Sequence, residues 1–202
     1  MTDILILYYS SYGHTSAMAD AVAEGVRREN AAAEILRVPE TAPPETVEAA
    51  GFRQDLPHDV VDDPERLAEF DGIIVGSPTR YGRLSSQMAA FWDRTGPLWK
   101  RGALVGKVGA TFTSTATQHG GQELTQFSLM TNLFHMGMTV VGLDYGFQGQ
   151  MELDAIHGGS PYGASTVAGA DGSREPTTVD LDGARYLGAR VARVAAAVAQ
   201  SE

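Results

Sequence analysis

The stretch Ile4-Leu5-Ile6-Leu7-Tyr8-Tyr9, followed at once by Ser10-Ser11-Tyr12-Gly13-His14-Thr15, decides the fold. An unbroken apolar run ended by small polar residues and a glycine predicts a strand covered on both faces. Met18, Val22 and Val26 recur at helical spacing, so a helix begins near Thr15. The first amide groups of such a helix have no partner inside it. Together with the positive end of the helix dipole they form an anion seat. Ser10, Ser11 and Thr15 add hydroxyl donors, and Gly13 removes a side chain where an anion's oxygens would approach. Two other phosphate signatures are missing: the three-glycine dinucleotide fingerprint, and the nucleotide P-loop with its Gly-Lys-Ser/Thr. The same residues also suit an ordinary strand-to-helix turn rich in N-capping side chains.

Moving outward, Glu34-Ile35-Leu36-Arg37-Val38 reads as a second strand that Pro39 ends. Residues 40–66 are Pro-rich and acidic and read as a long connection, with a short helix at 46–50 and a helical turn at 67–70. Gly72-Ile73-Ile74-Val75-Gly76-Ser77 is a third strand, and 85–94 a helix bearing Met88, Phe91 and Trp92. Residues 107–114 form a fourth strand, 122–136 a helix, 139–142 a fifth strand and 179–199 the last helix. Residues 143–178 are rich in Gly, Ser and Pro and read as a long structured loop. Strands alternating with helices predict an α/β, doubly wound, five-stranded parallel sheet with helices on both faces. The expectation is a single domain over 1–202, in a flavodoxin-like strand order.

The chain has 202 residues, no cysteine and a formal net charge of −10. Disulfides and thiolate chemistry are thereby excluded, and a reducing cytoplasm is the expected setting. The charge argues against nucleic acid as a partner. No apolar stretch has the length of a membrane span, so no membrane association is expected. His58 stands near Asp59, Asp62 and Asp63, which reads as a solvated charged face, and no metal is expected. His14, at a helix start, reads as a cap or a solvent-facing residue, and His119 and His157 read as solvent-facing.

Three loops leave the carboxyl ends of strands, where doubly wound sheets bind ligands. They are the Ser10 to Thr15 turn, Pro78-Thr79-Arg80-Tyr81-Gly82, and Ser114-Thr115-Ala116-Thr117-Gln118-His119-Gly120. The first offers a phosphate seat; the other two offer backbone groups to the edge of a flat ring. A phosphate plus a planar heteroaromatic ring, without a dinucleotide fingerprint, points to FMN.

These three segments, with Thr95-Gly96-Pro97-Leu98-Trp99, Gly158-Gly159-Ser160-Pro161-Tyr162-Gly163-Ala164 and Gly169-Ala170-Asp171-Gly172-Ser173-Arg174, resemble the WrbA family of flavodoxin-like NAD(P)H:quinone oxidoreductases. The resemblance runs nearly the full chain. It implies FMN, a homotetramer, and two-electron reduction of quinones by NADH or NADPH in ping-pong order. Flavin N5 would carry the hydride, with no protein side chain as catalyst. Carried over, the phosphate loop is Ser10, Ser11, Tyr12, Gly13, His14 and Thr15. The ring lies against Pro78, Thr79, Arg80, Tyr81 and Gly82, with the third loop at its other edge. His135 matches a histidine that contacts the cofactor. Trp99 matches a tryptophan walling the substrate pocket of a neighbouring subunit, and Tyr12 a position implicated in nicotinamide binding. The third loop departs from the family's glycine-rich pattern at Ala116-Thr117-Gln118-His119. Arg80 and His135 are the cations available to stabilise negative charge on a reduced ring. Two other functions fit the fold: a flavodoxin-type one-electron carrier, and a non-enzymatic regulatory partner of other proteins.

Overall fold

The computed structural model describes residues 1–200. The N-terminal apolar run forms β1 (Asp3–Tyr8), buried from Ile4 onward because both its faces are covered. Gly13, at φ 101°, turns the chain into α1 (His14–Arg28). There follow β2 (Ala32–Arg37), the short α2 (Pro44–Ala49), a 3-10 turn (Pro64–Glu69) and β3 (Gly72–Pro78). Then come α3 (Ser86–Trp92), α4 (Gly96–Lys100), β4 (Val108–Thr115), α5 (Gln122–His135) and β5 (Thr139–Val140). A second 3-10 turn (Gln148–Met151), β6 (Ala164–Val167) and α6 (Thr178–Ala199) complete the order. Among the described residues no helix is long and apolar enough to cross a membrane.

All strand pairings are parallel, in the order β2-β1-β3-β4-β5, with β6 also paired to β4. The expected five-stranded sheet is therefore corrected in one respect. β5 pairs only with Val108 and Gly109 at the start of β4, and β6 pairs with Phe112 to Thr115 at its end. Two short strands fill one edge position, and residues 141–163 connect them. Residues 143–178, read as a loop, thus contain a strand.

Alternation along the strands sorts the core into two layers. Ile4, Ile6, Tyr8, Ile74 and Phe112 pack on α1 and α6 through Met18, Val22, Leu187 and Val191. Leu5, Leu7, Ile73 and Val75 pack on α3, α4 and α5 through Met88, Phe91, Leu98 and Leu129. The α1–α6 crossing is close enough to require glycine: a Cβ on Gly25 would stand 1.9 Å from the Arg185 carbonyl oxygen, and one on Gly188 2.1 Å from that of Val22. α5 buries Leu129 and Leu133 but leaves Leu124, Phe127 and Phe134 exposed.

Candidate active site

The chain leaves β1 toward β2 and later returns to β3 on β1's other side, so the loops after β1 and β3 diverge and open a crevice. A cavity of about 560 Å³ lies there, the size of a small-molecule site. Ser10, Ser11, Tyr12, His14 and Thr15 form one wall, Pro78, Thr79 and Arg80 another, and Ser114, Thr115 and Ala116 a third.

The first wall carries the most informative atoms. Ser10, Ser11, His14 and Thr15 are all buried. The Gly13 amide donates to Ser10 Oγ at 3.0 Å, which shapes the turn. Thr15 Oγ1 and His14 Nε2 are buried with no hydrogen-bond partner. An unpaired buried polar atom costs roughly 1–3 kcal/mol, so the Thr15 hydroxyl and His14 with its proton on Nε2, beside a helix N-terminus, mark a place for an acceptor of hydrogen bonds. A phosphate ester fits that donor set. His14, for which a cap or a solvent-facing position was expected beside its place in the phosphate loop, is buried against the segment that includes Gly172.

The second wall is tied to the first. Arg80 donates to Ser11 Oγ at 2.7 Å and to the Thr79 carbonyl oxygen at 3.0 Å. Thr79 Oγ1 accepts from the Gly82 amide at 3.0 Å and from Thr125 Oγ1 at 2.8 Å, which fixes this loop to the start of α5. Beneath it, Glu40 accepts from the Tyr9 hydroxyl at 2.5 Å, Gln87 Nε2 at 2.6 Å, and the amides of Thr41 and Ala42 at 2.9 and 2.8 Å. Burial pushes the Glu40 carboxyl up, but the bonds from Tyr9, Gln87, Ala42 and Thr41 outweigh it and hold it below its ordinary value. Burial, and then the bond to Glu40, raise the Tyr9 hydroxyl well above the usual tyrosine range.

Two further segments, outside the three loops, also line the cavity. Ala50 and Arg53 come from the acidic connection, and Ala168, Gly169, Ala170, Asp171 and Gly172 from the chain beyond β6. The connection is pinned by long-range contacts. The Arg53 amide donates to the Ser11 carbonyl oxygen at 2.8 Å, and Tyr12 stacks edge-on against Phe52 with centroids 5.5 Å apart. His58 is not on a solvated acidic face: Nδ1 meets the Tyr8 hydroxyl at 2.9 Å, and Nε2 meets Asp20 at 3.1 Å. Only the motif spanning Gly169 to Arg174 signalled the other segment.

Several predicted site residues lie outside the cavity lining. Tyr81, at φ 56°, points to solvent and is 99% exposed, while Gly82 is buried against Leu124. Thr117, Gln118 and His119 face solvent, because the turn closes on itself through Gly120 N–H to the Thr117 carbonyl oxygen at 3.1 Å. His135 is exposed at the far end of α5, about 20 Å along the helix from the third loop. It sits near the amino ends of the strands, where Leu133 packs on Gly109. Trp99, 62% exposed on α4, also precedes the start of β4. Neither side chain meets this chain's own cavity. His157 is half-buried, with Nδ1 buried and unpartnered.

The strand order and the anion seat at the β1–α1 turn define a flavodoxin-like protein with a cleft at the carboxyl ends of its strands. A family model described as NADPH-dependent FMN reductase matches residues 2–151. A protein of Gluconacetobacter diazotrophicus called NAD(P)H dehydrogenase (quinone) is 59% identical over 196 residues, covering 97% of this chain and 98% of its own. One of the same description from Caulobacter vibrioides is 59% identical over 197 residues, covering 96% and 98%. Among solved structures, a flavodoxin, WrbA-like protein from Agrobacterium tumefaciens superposes with a TM-score of 0.66 at 27% identity, covering 98% of this chain and 99% of that one. The chain belongs to the NADPH-dependent FMN reductase family.

Proposed function

We propose that this protein is an FMN-dependent NAD(P)H:quinone oxidoreductase. The observation that carries the reading is the pair of buried, unpartnered groups, Thr15 Oγ1 and His14 Nε2, in the first wall of the cleft. They would donate to the phosphate of FMN along with the first amides of α1. Thr79, Arg80 and the Ser114 to Ala116 wall would flank the ring. Bound there, FMN supplies two-electron transfer between a nicotinamide and a quinone. Arg80, held by Ser11 and Thr79, would place positive charge beside the ring, and the 50s connection would limit water access from one side. The relatives' description as NAD(P)H dehydrogenase (quinone) supports the substrates.

We read residues 1–202 as one domain, because β6 and α6 complete the sheet and helical layer that β1 and α1 begin. We also propose a homotetramer. Leu124, Phe127 and Phe134 are exposed apolar side chains on α5, and Trp99 is exposed on α4. Copies packed through this surface would bring Trp99 and His135 to a neighbour's cleft, which neither meets in its own chain. A cytoplasmic setting is proposed from the cysteine-free composition.

The test is steady-state oxidation of NADH and of NADPH with benzoquinone, with and without added FMN. The reading expects FMN-dependent turnover by the isolated protein. A one-electron carrier would show almost none.

A further inference from the structure

We infer that Arg53 is a movable phosphate ligand, kept by Asp55 until a phosphomonoester enters the seat at the head of α1. The inference rests on the reading of the cleft as an FMN site and goes beyond it in assigning a residue outside the three loops.

A phosphomonoester carries nearly two negative charges at neutral pH. The chain itself carries a formal charge of −10, and among the described residues no lysine lines the cleft. Amides, hydroxyls and a helix dipole offset part of that charge. Two guanidinium groups line the cavity, those of Arg53 and Arg80. Arg80 is already committed to Ser11 and to the Thr79 carbonyl.

Arg53 lies over the seat itself. A Cβ built on Gly13, the N-cap of α1, would stand 2.7 Å from Arg53 Nη1. Gly13 is glycine for its positive φ, and the group over it is the flexible end of a long side chain. The backbone of Arg53 is anchored to the same turn through its amide and the Ser11 carbonyl oxygen. Its side chain is held only at its tip, by Asp55 at 3.1 and 3.3 Å. Both partners are well exposed, at 51% and 76%. An exposed pair of this kind is weak even though two bonds join it, whereas a phosphomonoester offers the same guanidinium more negative charge and three acceptor oxygens. A small rotation would exchange one for the other. The competing account is that Arg53 and Asp55 merely brace the connection against the first loop.

Comparing FMN with riboflavin separates the two, since they differ only in the phosphate. Flavin fluorescence quenching gives both affinities for the wild type, Arg53→Met and Asp55→Asn. Arg53→Met should weaken FMN about tenfold or more and leave riboflavin unchanged. Asp55→Asn should tighten FMN a few-fold and not riboflavin. Equal weakening of both flavins by Arg53→Met, or no change in FMN affinity, overturns the assignment while the FMN reading stands. Wild-type protein that binds neither flavin overturns that reading and the assignment together.

Discussion

The guanidinium of Arg80 donates to the Ser11 hydroxyl at 2.7 Å, which joins residues 69 positions apart across the mouth of the cleft. This bond binds the wall that follows β3 to the wall that follows β1. It also fixes the position of a positive charge that would otherwise sample many rotamers. Arg80→Ala is expected to lower FMN affinity about tenfold and to make bound flavin harder to reduce. Titration with FMN, then a redox titration of the complex, checks both. An unchanged potential would remove Arg80 from any electrostatic part.

Glu40 holds four donors at once, so its loss affects the floor of the second wall. In Glu40→Gln one amide replaces a carboxylate, and the Tyr9, Gln87, Thr41 and Ala42 donors cannot all be satisfied. A destabilisation of about 1–3 kcal/mol is expected at pH 7. The folded pKa lies below the ordinary 4.5. The carboxylate's stabilisation is therefore present above that value and is lost as pH falls through the lower, folded one. The Tm gap between wild type and Glu40→Gln should be wide at pH 7 and narrow below about pH 4.5. A gap independent of pH would contradict this account.

Gly188→Ala tests the packing that sets the α1–α6 layer. The added Cβ would meet the Val22 carbonyl oxygen at 2.1 Å, which is backbone and cannot rotate away. The helices must separate, at a cost of about 1–3 kcal/mol. A lowered Tm in denaturant or heat is the expected result, and an unchanged Tm would mean the crossing is looser than described.

The exposed apolar side chains of α5 offer a test of assembly. Phe127→Glu with Phe134→Glu replaces two of the three large apolar side chains that α5 exposes with charges. Sedimentation velocity should show a smaller species than the wild type, with quinone reduction lost if Trp99 and His135 act on a neighbour's cleft. An unchanged sedimentation coefficient would place the interface elsewhere.

The frame of the fold was legible because β1, β3 and β4 are buried on both faces and so read as apolar runs, with the predicted helices at helical period. β6 was not, because its surroundings are full of glycine for a reason unrelated to loop formation. A Cβ on Gly142, Gly158 or Gly163 would lie 2.1 Å from a carbonyl oxygen of Pro161, Ser165 or Thr111 respectively. These glycines mark backbones in close approach, and composition alone reads them as flexible. The first loop was readable because its anion seat is local, made within a few residues. Arg53 and His58 were not, since their partners Ser11, Tyr8 and Asp20 come from distant parts of the chain. His135 and Trp99 entered by resemblance, and one chain's geometry gives them no partner in its own cleft.

The most direct test of the phosphate seat is Thr15→Val, an isosteric change that removes the buried hydroxyl. The flavin-free protein should become slightly more stable, since an unpaired polar atom is lost, while FMN affinity falls about 10- to 100-fold. FMN titration of the two proteins by fluorescence quenching gives the answer. Unchanged FMN affinity in Thr15→Val would mean that the turn after β1 does not hold the phosphate.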